Sequence, residues 1–238
     1  MGGNFIRGAL VEFMPTFLIP LPNIIIFQFN PETMTHAWTQ PESVPVSSGA
    51  GGNANPLAVK GLPGESFSFT LVMDTVDMIA DGSPVAEGIA TVSGIYTRLA
   101  ALEMLQYPVP AADSGLVGAV SAAASAVGGG AGGAAPDRTV PAMQVPTVLF
   151  VWGPGRIVPV RVTSLSITEK LYDGLLNPIH AEAAIGLRVL TPDELAYVTG
   201  PLGDLAKIAY TYSQDLRQVL AIANLANAVE SAIGMLPF

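Results

Sequence analysis

Glu65-Ser66-Phe67-Ser68-Phe69-Thr70-Leu71-Val72-Met73-Asp74 alternates without a break. Phe67, Phe69, Leu71 and Met73 fall on one side of an extended chain, and Ser66, Ser68 and Thr70 on the other. A period of two built on aromatic and aliphatic side chains predicts a half-buried strand. His180-Ala181-Glu182-Ala183-Ala184-Ile185-Gly186-Leu187-Arg188-Val189 repeats the pattern. Ala181, Ala183, Ile185, Leu187 and Val189 share one face; His180, Glu182, Ala184, Gly186 and Arg188 share the other. Two such strands, each with one wet face, point to a β domain.

The neighbouring segments extend that domain. Val148 to Trp152 is a short apolar run stopped by Gly153-Pro154-Gly155 and reads as a buried strand. Arg156 to Leu171 reads as a long strand. Its phase changes between Val160/Val162 and Leu165/Ile167, which predicts a bulge near Thr163-Ser164. Asp173-Gly174 marks the turn into His180–Val189. Asn23 to Phe29 is β-prone and ends at the turn signal Asn30-Pro31. Ser83-Pro84 opens a helix, by cap and first-position proline. Its stripe, Val85, Ile89, Val92, Tyr96 and Leu99, runs to about Gln106. Residues 1–22 read as an extended arm, 40–64 as a long loop, and 108–146 as an Ala/Gly-rich insertion that cannot build a core of its own. Thr191-Pro192-Asp193-Glu194 starts a helical tail over 191–238, broken at Gly200-Pro201. In that tail Leu216, Val219, Leu220 and Ala223, with Ala226 or Asn227, form a stripe that needs a cover from this chain or another.

Half of the 238 residues are hydrophobic and only 12% are charged. Soluble domains carry about 25% charged residues, so much of this surface is not built to face water, which leaves membrane, aggregation and assembly as readings. The net charge of −9 and the ten scattered Lys and Arg residues argue against nucleic acid as a partner. Arg156 and Arg161 are too few for a basic patch. Without cysteine, thiol nucleophiles and Cys-based zinc sites are excluded. Phe13 to Pro22 is apolar but interrupted by Pro15, Pro20 and Pro22, and it follows Glu12 without a basic cluster. Leu116 to Ala135 is too rich in Ala and Gly to span a bilayer. The expectation is cytoplasmic assembly without a signal peptide or membrane partner, with release, if any, as part of a particle.

No motif carries catalysis. His36 and His180 stand outside metal spacings such as HExxH, and no phosphate loop or nucleophile elbow occurs. Asp74, Asp77 and Asp81 could surround a divalent cation, but they lack the EF-hand order and read as a solvated turn. His180 beside Glu182 could serve acid–base chemistry; a polar sheet face explains the pair more simply. Trp38 and Trp152 read as core or interface anchors. The expectation is a chain with no catalytic residues, no metal and no cofactor.

Several stretches in order carry a resemblance. They are Phe27-Gln28-Phe29-Asn30-Pro31-Glu32; Phe69-Thr70-Leu71-Val72-Met73-Asp74-Thr75; Val148-Leu149-Phe150-Val151-Trp152-Gly153; Val162-Thr163-Ser164-Leu165; and Asn177-Pro178-Ile179-His180-Ala181. Their order and spacing over 23–190 resemble the tube-fold baseplate proteins of contractile injection systems and related phage tails. The family pattern runs FxFNP, an LxLDT-like strand, FxWG, a strand, then a P-x-R-A-like strand start. His180 stands where that last motif is usually basic, and the 108–146 insertion is longer than the pattern. The tail (Gly203-Asp204-Leu205-Ala206-Lys207-Ile208-Ala209, then Tyr212 and Ile222-Ala223-Asn224) resembles a reduced LysM-like module of adaptor members.

The resemblance implies a mainly β fold with α: a phage tail-tube-like β-sandwich or barrel with one packed helix over 23–190, plus a C-terminal helical appendage. It implies a homo-oligomer, a hexameric ring, joining the inner tube protein to the baseplate hub or spike and to sheath-associated baseplate proteins. His180, Glu182 and Arg188 are then expected on the wall of a central channel, and Leu216, Val219, Leu220 and Ala223 in a docking contact. The alternatives are a plain inner tube subunit, or a glycan- or small-ligand-binding protein that uses the tail.

Overall fold

The computed structural model describes residues 6–14, 21–41, 57–76, 93–108, 145–198 and 201–234. The strands are β1 (Ala9–Met14), β2 (Leu21–Ile26), β3 (Met34–Thr39), β4 (Gly64–Asp74), β5 (Val148–Val151), β6 (Ile157–Tyr172) and β7 (Pro178–Val189). The helices are α1 (Tyr96–Met104), α2 (Pro192–Leu195) and α3 (Pro201–Gly234). Residues 84–92 of the expected first helix, most of the 40–64 loop, Asp77 and Asp81, and nearly all of the 108–146 insertion lie outside the described residues.

Among the described residues the strands form one seven-stranded sheet, ordered β2-β1-β5-β6-β7-β4-β3, with every pairing antiparallel. The alternating stretches behave as their patterns require. Phe67, Phe69, Leu71 and Met73 on β4, and Ala181, Ala183, Ile185, Leu187 and Val189 on β7, are buried. The β6–β7 register shifts between Val162 and Ser164, at the expected bulge.

The sheet curls. Phe27, one residue past β2, lies 5.5 Å from Phe69 on β4, ring centre to ring centre. In a flat sheet five strand spacings would put them about 24 Å apart. Phe67 and Phe150, on strands three places apart, are 5.2 Å apart. These aromatic rings, with Leu10, Val158, Val160 and the α1 residues Leu99 and Leu102, fill the concave side. Gly8 is required beneath them: a Cβ there would meet the Phe27 ring at 2.7 Å and Trp152 at 2.8 Å.

The expected sandwich or barrel needs correction, because the sheet does not close. β2 and β3, its two outer strands, do not pair with each other. A side chain bridges part of the gap instead. Gln28 Nε2 donates to the Asp74 carbonyl at 2.7 Å, and the Asp74 N–H donates to Gln28 Oε1 at 3.0 Å. One carboxamide thus satisfies both backbone groups of a residue that lies beyond the β3 pairing.

Two further readings differ from the structure. Residues 9–14, taken as part of an arm, form β1 inside the sheet, between β2 and β5. The tail is also not separate along its whole length. Leu195 on α2 and Ala206 and Ala209 on α3 pack against Leu149 and Leu190 on the convex side. Small residues at 206, 209 and 213 let the helix approach closely. Ser213 Oγ donates to the Ile157 carbonyl at 2.7 Å, and Tyr212 donates to the Pro154 carbonyl at 2.9 Å. α3 is a single helix of 34 residues. Among the described residues, no helix is long and apolar enough to cross a membrane.

Candidate functional site: polar face, outer strands and tail helix

Three surfaces hold the residues singled out by sequence. The first is the polar face of β7 and its neighbours. His180, Glu182 and Arg188 occupy it together, as period-two spacing dictates. Each has a different partner. His180 Nδ1 donates to Asp74 Oδ2 at 3.0 Å across the β4–β7 ladder. The Asp74 carboxyl is held below its ordinary range by that bond and by the Val76 N–H, against partial burial. Lys170 on β6 donates to Glu182, and both side chains are substantially exposed. Arg188 donates to Glu194 at the start of α2. Burial alone would raise the Glu194 carboxyl; bonds from Arg188 and from Thr191 outweigh it and bring it below the ordinary value. Thr191 and Glu194 form a reciprocal capping box.

Chemically, this face offers an Asp–His pair and two ion pairs. The Thr75 hydroxyl, next to Asp74, donates to the Ile179 carbonyl at 3.1 Å, so its proton is directed away from His180. Among the described residues, no group of three or more His, Asp or Glu side chains is placed to hold a metal ion.

The second surface is the C-terminal half of α3. Leu216 is half-buried beside Gly155, whereas Val219, Leu220 and Ala223 are exposed. Ile222 and Leu225 widen the apolar band, with Leu225 62% exposed. The side chains of Ala226 and Asn227 lie outside the description. Among the described residues, the chain covers the first turns of its tail helix and leaves Val219 to Leu225 open.

No family model matches the chain, and no curated protein matches it.

The third surface is the pair of outer strands, β2 and β3, which among the described residues pair with no further strand. β2 exposes Ile24 and Ile26, and β3 exposes Trp38, which is 55% accessible. An unpaired edge strand with apolar side chains is a template for another strand.

Sequence reasoning passed over a polar network that ties β3, β4 and α3 together. Glu65 is buried and accepts from His36 Nε2 at 2.7 Å, from Arg217 Nη1 at 2.8 Å and from Arg217 Nη2. Burial lowers the His36 pKa below 6.5, with nearby Arg156 and Arg217 adding to the effect and the Glu65 bond opposing it. A signal was present: Glu65 is in phase with Phe67 and Phe69, so β4 itself placed a carboxylate on the buried side. Beside this network is a cleft of about 480 Å³ between β3–β4 and α3. Trp38, Tyr210, Gln214 and Arg217 line it. Trp152 serves as the core anchor expected, 6.1 Å from Phe150.

Proposed function

We propose that this chain is a structural subunit of a contractile injection system, forming a ring of six copies that connects the inner tube to the baseplate hub, and that it catalyses no reaction. The observation that carries this reading is the open sheet: its outer strands β2 and β3 carry exposed apolar side chains and, among the described residues, pair with no further strand. Joining β3 of one copy to β2 of the next satisfies both edges in a head-to-tail contact, and such a contact closes into a ring when its rotation allows. The low charge content supports the same reading, since contact surfaces are depleted in charge. The polar face of β7 would line the channel, and the exposed half of α3 would dock on a baseplate neighbour.

Light scattering of the purified chain across a concentration series, with negative-stain imaging of particles from cells carrying a tagged copy, tests this. Rings, and label at the tube–baseplate junction, are the expected result. A chain that stays monomeric and is missing from sheathed particles refutes it. Label along the whole tube would make it a plain inner tube subunit. A second reading rests on the cleft beside Trp38: a small-ligand or glycan site using the tail helix. Trp38 fluorescence titrated with a chito-oligosaccharide decides it; a saturable change lost in Trp38→Ala supports the reading, and a flat response removes it.

A further inference from the structure

We propose that the polar face of the sheet holds a binding site for a single oxyanion, a carboxylate or phosphate group, built on Arg161 and Arg188. Arg161 on β6 lies directly opposite Arg188 on β7, and Ser66 on β4 lies opposite Arg188 on its other side. Like charges placed directly opposite on one sheet face repel. One carboxylate answers them: Glu194 pairs with Arg188 and is held there by the Thr191 N–H at 3.0 Å. Among the described residues, no carboxylate pairs with Arg161. Of the two cations, only Arg188 is thus paired with an anion.

The donors tell the same story as the charges. The Nε atoms of both Arg161 and Arg188 are buried and have no hydrogen-bond partner. Buried N–H groups without acceptors are rare, and each calls for an explanation such as an ion. A guanidinium presents a planar fork that fits a carboxylate or phosphate with two parallel bonds. An oxyanion seated between the two forks would cancel the repulsion, and a swing of Arg161 toward it would give its Nε–H an acceptor. The approach is open and polar. Ser66, Thr163 and Ser164 are exposed around the pair. The bulge at 162–164 and the bare Gly186 place the Ser164 hydroxyl two residue pairs along, past Val162–Leu187, where any side chain at 186 would collide with it. The chain's net charge of −9 leaves this as a local positive spot suited to one anionic group and not to a polyanion.

The site does not depend on ring formation, so the full chain is tested in solution. Thermal unfolding is followed in inorganic phosphate, in acetate and in chloride at matched pH and ionic strength, for wild type, Arg161→Gln and Lys170→Gln. Phosphate about a hundredfold above its dissociation constant should raise the apparent folding constant about 100-fold. Arg161→Gln should fold in chloride yet lose that gain, and Lys170→Gln should keep it. A gain in acetate alone, lost in Arg161→Gln, supports the site and assigns it to carboxylates. Coincident curves in all three salts overturn the proposal, as does an unchanged gain in Arg161→Gln.

Discussion

Phe150 touches Phe27, Phe67, Phe69 and Trp152 across the concave core, and it is fully buried. Its rings come from strands that are not neighbours, so it reports on the curl of the sheet more than on any one ladder. Phe150→Ala should cost about 3–5 kcal/mol, the usual range for deleting a buried aromatic ring, read as a lower urea midpoint with an unchanged slope. His36 reports on a different balance. It is held neutral by burial and by two guanidiniums, and its folded pKa lies below 6.5. The unfolded chain therefore takes up the proton first as pH falls. The contribution from neutral His36 is complete above 6.5 and is lost as pH drops through the folded value. Urea midpoints measured downward from neutral pH should fall in wild type, and His36→Gln should flatten that part of the slope. An identical slope in both would show that His36 does not sense acid. Asp74, with a folded pKa below 3.8, follows the same sign at lower pH.

At the scale of elements, α3 is two surfaces on one helix. Its first turns present Ala206, Ala209 and Ser213 to the sheet; its later turns present Val219, Leu220, Ile222 and Leu225 to water. Val219→Ser with Leu220→Ser should change stability by less than about 0.5 kcal/mol, as exposed positions do. The same double variant should abolish incorporation into particles, scored by sedimentation with tagged baseplate proteins. Incorporation at the wild-type level would remove the docking role. Thr191→Ala, by contrast, breaks the capping box and should cost about 1 kcal/mol of stability. How legible each element was follows from how many of its faces are buried. β4 and β7 have one wet face, so their period of two is plain, and the bulge near 163 showed as a change of phase. β1 has none: Leu10 is in the main core, Val11 packs against the second cluster and Glu12 is buried. A strand covered on both sides loses alternation, and Ala9–Met14 looked like an apolar arm. The tail's small-residue stripe was equally quiet, because Ala and Ser carry little hydropathy signal while permitting the closest packing. The strand order was beyond reach, since it rests on contacts between distant segments, as in the Gln28–Asp74 bridge. Of the site, His180, Glu182 and Arg188 were found on one face because spacing alone decides that. Their partners Asp74, Lys170 and Glu194 come from other elements and needed the fold.

The described residues form an open curled sheet, and its two outer strands and its polar face make separate demands on any assembly. Edge pairing is tested by Ile24→Lys with Ile26→Lys. Charges on an edge strand oppose strand addition while leaving the concave core untouched, so the monomer should fold and rings should vanish from light scattering and stained images. Rings that persist would place the contact elsewhere. The polar face is tested by charge. Glu182 sits midway along β7, opposite Val72 on one side and Thr168 on the other, and it takes the Lys170 ammonium. Both members of this pair are well exposed, so the bond adds little to stability. Its reversal should therefore act on what passes the face and not on the fold. Glu182→Lys puts two ammonium groups where a neutral pair stood, and six-fold repetition would turn that into a ring of about a dozen positive charges if the face lines a channel. A repeated single-sign charge in a narrow, low-dielectric passage focuses the potential and holds cargo of opposite sign. The expected outcome is unchanged ring formation and urea midpoint, with altered cargo content in purified particles. The double variant Glu182→Lys/Lys170→Glu, which restores neutrality with the pair reversed, should return cargo content to the wild-type level. Unaltered cargo in the single variant would place this face outside the channel, toward the sheath or bulk solvent.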